Sequence, residues 1–86
     1  MRLNREFLTH ETGDETILVP TGKAEFSGVV RGNRTLGAVL QLLKEDRSRD
    51  EIVQAMKERF DAPDGAIERD VDRVLEELGK IGAIDE

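Results

Sequence analysis

The chain has no cysteine, tryptophan or tyrosine, a single histidine, two prolines and only three phenylalanines among its 86 residues. Without cysteine there is no disulfide framework, thiolate metal site or thiol nucleophile, and a reducing compartment fits. With so few aromatics, the core must be assembled from Leu, Ile and Val. No apolar run approaches the roughly 18 residues that a membrane span needs, and the opening MRLNREFLTHE has no apolar signal core. The expectation is a soluble cytoplasmic protein with no membrane partner. Catalytic constellations are missing too. His10 has no ligand partners at metal spacing, and Asp70, Asp72, Glu76 and Glu77 lie on a helical stretch with no histidine or glycine-rich phosphate loop nearby. Those carboxylates read as a solvated acidic face, so neither an enzyme nor a bound cofactor is expected.

What is present is a chain of single-domain length, residues 1–86, near the lower limit for a self-sufficient core. Its net charge is -6, and the excess acid is unevenly placed. Residues 1–34 carry five basic and five acidic side chains, whereas residues 35–86 carry eight and fourteen. Nucleic-acid binding depends on neutralising phosphate, so an acidic second half argues against that partner.

The hydrophobic period changes once, at Asn33. Before it, short runs alternate with turn chemistry: Glu6 to Glu11, Thr16 to Pro20 and Glu25 to Arg31, separated by stretches containing Gly13 and Gly22. Both glycines sit where hairpin loops call for positive φ, which predicts a three-stranded antiparallel meander. After it, Asn33 or Thr35 can cap a helix bearing Leu36, Val39, Leu40 and Leu43. Ser48 and Glu51 form a capping-box pattern ahead of Ile52, Val53, Met56 and Phe60. A third helix from about Asp64 places Ile67, Val71, Val74, Leu75 and Leu78 on one face and ends before Gly82. The fold class expected is α+β, a β-β-β-α-α-α order with the helices packed on one face of the meander, winged-helix-like with its strands at the front.

A meander leaves its first and third strands as edges. An open edge offers unpaired amides and carbonyls to another strand, which is both a hazard and the basis of peptide recognition by strand addition. The third strand reads EFSGVV, in which Gly28 either admits a second backbone or marks a bend.

The runs LVPTGKAEFSGVVRGNRTLGAVLQLL, SRDEIVQAMKERFDAP and IERDVDRVLEELGKIGAIDE together resemble the PqqD family and the wider group of RiPP recognition elements. Asn33 and Thr35 match the entry to the first helix, Ser48, Glu51, Ile52 and Val53 the second helix, and Phe60 and Asp61 its end. Asp70, Val71, Leu75, Leu78, Gly82 and Ile84 match the last element. Two positions depart from the pattern: Gly32 stands where the family usually has an apolar residue, and Leu36 where it usually has glycine.

The resemblance implies a non-catalytic module that binds the leader segment of a ribosomally made precursor peptide and presents it to a modifying enzyme, often a radical SAM protein. It implies that the leader adds antiparallel to the third strand, along Phe26, Ser27, Gly28, Val29, Val30 and Arg31, with the third helix as the facing wall. Val71, Val74 and Leu78 are the candidate wall, although an apolar stripe at that spacing also reads as core. Arg69 and Arg73 beside it could meet acidic leader residues or form a solvated face. Two other readings stand beside this one. A winged-helix transcription regulator is opposed by five acids against three bases in residues 65–80. A structural homodimer would pair the open strand with a second copy.

Overall fold

The computed structural model describes residues 1–22 and 28–85. The strands and helices run β1 (Arg2–Leu3), β2 (Phe7–Thr12), β3 (Glu15–Pro20), β4 (Val30–Gly32), α1 (Arg34–Leu42), α2 (Arg49–Arg59), α3 (Ala66–Lys80) and β5 (Ile84–Asp85). β2, β3 and β4 form the expected antiparallel meander, in the order β2-β3-β4, ahead of three helices. Thr12 pairs with Glu15 across a two-residue loop, and Gly13 at φ 61° supplies the positive φ that a II′-type hairpin requires at its first position. Gly22 does not adopt positive φ. The described pairing of β3 with β4 comes no nearer to it than Leu18 opposite Val30, so no two-residue hairpin is centred on Gly22. The expected third strand, Glu25 to Arg31, is represented among the described residues by β4, which reaches one residue further, to Gly32. Gly28, at φ 119°, lies in a bend before it.

Alternation along the strands decides which face meets the helices. Phe7, Thr16 and Leu18 are buried on one face, and the register pairs Leu18 with Val30 and Thr16 with Gly32. α1 lies against that face and touches β3, β4, α2 and α3. Five consecutive residues of α1, Leu36 to Leu40, are buried, as befits a helix with neighbours all round. Ile52, Val53 and Met56 of α2 and Ile67, Val71, Val74 and Leu78 of α3 complete the core.

The helix ends follow their local chemistry. The Asn33 side chain accepts from the amides of Thr35 and Leu36, so Asn33 rather than Thr35 is the cap of α1. Ser48 and Glu51 form both halves of a capping box at α2. α3 closes in a Schellman motif: Gly82, at φ 74°, donates to the Gly79 carbonyl at 3.2 Å and Ala83 to that of Leu78 at 2.9 Å. Arg49 donates to both Asp72 oxygens at 2.8 and 2.9 Å, and Lys57 meets Glu68 at 3.1 Å, so α2 and α3 are linked near both ends of α2.

A second, two-stranded sheet joins β1 to β5, with Arg2 opposite Asp85 and Leu3 opposite Ile84. The Asn4 amide donates to the Ala83 carbonyl at 2.7 Å and the Leu3 amide to that of Leu43 at 2.8 Å. The two ends of the described chain are thus clipped together beneath the loop between α1 and α2. Among the described residues no helix is long and apolar enough to cross a membrane.

Candidate functional site

β4 has β3 on one side and, among the described residues, no strand on the other. Beyond its open side lies a groove of about 530 Å³ between β4 and α3. Its apolar lining is Val30 from the strand, Leu36 from α1, and Val74, Leu78 and Ile81 from α3 and its C-terminal cap. Its polar lining includes Arg31, Arg73, Lys80 and Glu77. Val74, Leu78 and Ile81 recur at helical spacing, so one stripe of α3 forms a wall opposite the strand.

The residues singled out in the sequence divide. Val30, Arg31, Arg73, Val74 and Leu78 come together around this groove. Val71, Val74 and Leu78 are all buried core residues, of which Val74 and Leu78 also border the groove and Val71 does not. Arg69 is exposed and outside the lining. Val29 is one of the large exposed hydrophobics and precedes β4. Gly28 forms the bend, and Phe26 and Ser27 lie outside the described residues. Leu36, Glu77, Lys80 and Ile81 were missed. Extending the Val74 and Leu78 series by three residues reaches Ile81, whereas Leu36 needed tertiary information.

That information concerns the two departures from the family pattern. A Cβ on Gly32 would lie 2.7 Å from the Leu36 Cβ and would overlap its Cδ2 methyl. Leu36 therefore occupies the space that a side chain at position 32 would take. The groove thus has Leu36 in its floor, while the edge of β4 is bare backbone at Gly32.

The electrostatics of the groove differ from those of the chain. Three cations and one carboxylate line it, in a protein of net charge -6. Arg31 is 67% exposed and its nearest acid among the described residues, Glu15, is 3.9 Å away. Arg73 pairs with Asp70 at 3.4 Å and Lys80 with Glu76 at 3.5 Å, both within α3 and both solvated. Exposed pairs of this kind are worth roughly 1 kcal/mol or less, so they can exchange for other partners at little cost. The arrangement offers backbone groups, an apolar floor and mobile positive charge. No group of three or more His, Cys, Asp or Glu is placed to hold a metal among the described residues.

The comparisons with known proteins agree with this architecture. The model of the family described as coenzyme PQQ synthesis protein D (PqqD) matches residues 15–84. No curated protein gives a significant match. Two solved structures are similar. One is TbiB1 in complex with the TbiA(beta) leader peptide, at a TM-score of 0.79 and 19% identity, covering 99% of this chain and 95% of that one. The other is lasso peptide synthetase B1 complexed with the leader peptide, at 0.73 and 20%, covering 95% and 93%. At such identities the likeness is one of fold. The family match itself runs from the first residue of β3 into β5 and takes in every element bordering the groove, so the protein belongs to the PqqD family.

Proposed function

We propose that this protein binds the leader segment of a ribosomally synthesised precursor peptide as an added strand on β4, and hands it to a modifying enzyme such as a radical SAM protein. The observation that carries the reading is an edge strand standing beside an apolar groove walled by α3. Family membership supports it, as do the leader peptides bound to both structural neighbours. Each backbone hydrogen bond along the edge contributes about 0.5–1.5 kcal/mol net, and each apolar leader side chain buried on the floor about 1.5–3 kcal/mol. Set against the ordering of a flexible peptide, micromolar binding at about 8 kcal/mol follows. The protein itself supplies no chemistry in this role and acts in the cytoplasm. The test is titration of the ¹⁵N-labelled protein with the leader of a precursor encoded beside its gene. Amides of residues 30–32 and 73–81 are expected to shift; shifts confined to β2 or α2 would overturn the reading.

A further inference from the structure

The groove carries information about which peptide fits it, given the strand-addition reading above. β4 alternates in a defined way. Val30 and Gly32 pair with Leu18 and Thr16, whose side chains are buried toward the helices, while Arg31 pairs with Ile17 on the opposite face. A strand added to β4 inherits this alternation, because side chains of neighbouring strands in register point the same way. Its residues opposite Val30 and Gly32 would turn toward the floor of Leu36, Val74, Leu78 and Ile81, and the residue between them would turn outward beside Arg31.

Each position has a chemical preference. The position opposite Gly32 has no side chain from β4 to compete with, and Leu36 rises beneath it, so an apolar side chain gains contact there. The position opposite Val30 meets an apolar neighbour. The outward position meets a guanidinium that is 67% exposed and whose nearest carboxylate among the described residues is 3.9 Å away. We infer that the groove selects a leader segment of the pattern apolar, acidic, apolar, with the acid held by Arg31 and both apolar side chains directed inward. The pattern is the same read in either chain direction, so it does not depend on whether the added strand runs parallel or antiparallel.

Selecting a randomised 12-residue display library on the intact protein tests this. Enriched peptides should carry the apolar, acidic, apolar triad and should shift the amides of residues 30–32. In a synthetic copy of one such peptide, replacing the central acid by lysine should weaken binding about two- to five-fold, the range of a cross-strand charge pair. Arg31→Glu should reverse that preference, and because Arg31 is exposed the variant keeps its fold. Peptides that shift residues 30–32 without an acid in the triad, or a preference that Arg31→Glu leaves unchanged, would overturn the inference and leave strand addition standing. No enrichment, or peptides that shift only amides away from the groove, would overturn both.

Discussion

The pair Gly32 and Leu36 shows how a single position takes its meaning from another. Neither residue is unusual alone, and the sequence marks them only as two departures from a pattern. Their interdependence appears when the distance from a Cβ at 32 to the Leu36 Cβ is seen to be 2.7 Å, closer than packed carbons tolerate. Gly32→Ala is therefore expected to cost about 1–3 kcal/mol through overpacking. Leu36→Ala should cost about 2–5 kcal/mol, since Leu36 is buried. The double variant should lose less than the sum, because truncating Leu36 removes the Cγ and the Cδ2 methyl that a Cβ at 32 would meet, although the contact with the Leu36 Cβ stays. Urea unfolding of the four proteins measures this, and strict additivity would show that the two side-chain volumes do not compete. The cap of α2 was readable from four letters. Ser48→Ala should cost about 1 kcal/mol by the same measurement.

Among the elements, the helices and the meander were legible and the two-residue strands at the chain ends were not, for a physical reason. A helix of three or four turns repeats its apolar stripe often enough to be seen, as in Ile67, Val71, Val74 and Leu78. The two residues each of β1 and β5 are too few to show a period. The same limit applied to the groove: its α3 wall was readable, its α1 floor was not. How the helices are tied together yields a pH dependence. Hydrogen bonds from Arg49 hold the Asp72 carboxyl below its usual range, the Ser48 backbone amide and then its hydroxyl do the same for Glu51, and the amino terminus does so for Asp46. A carboxyl whose folded value lies below its unfolded one stabilises the fold above the unfolded value, near 3.8 for Asp and 4.5 for Glu, and loses that contribution as the pH falls through the folded value. The melting temperature should thus fall progressively below about pH 4.5, and Asp72→Asn should flatten part of that fall. A wild-type curve that rises on acidification would contradict the assigned signs.

At the scale of the whole molecule, the groove depends on a structure remote from it in sequence. Ile81 lines the groove and caps α3, and Ala83, two residues on, accepts a hydrogen bond from the Asn4 amide. The Asn4 side chain donates to Asp85 at 2.8 Å and accepts from the Glu6 amide at 2.7 Å, so one residue fastens the N-terminal segment to both β5 and the start of β2. The clip was invisible in the sequence because its halves lie at opposite ends of the chain and hold no pattern of their own. Its consequence is mechanical: the end of α3 that forms part of the groove wall is anchored through β5 to β1. Asn4→Ala leaves the groove lining untouched, removes two side-chain hydrogen bonds, and should cost about 1–2 kcal/mol. If the loss is local, amide exchange at Leu3 and Ala83 should quicken roughly ten-fold while that at Leu18 in the central strand stays slow, since about 1.4 kcal/mol is a factor of ten in the opening equilibrium. Peptide affinity should drop with it, because binding must then also order the wall. Unchanged affinity alongside faster exchange at Ala83 would mean that the groove keeps its shape without the clip, and that α1 and the sheet alone hold α3 in place.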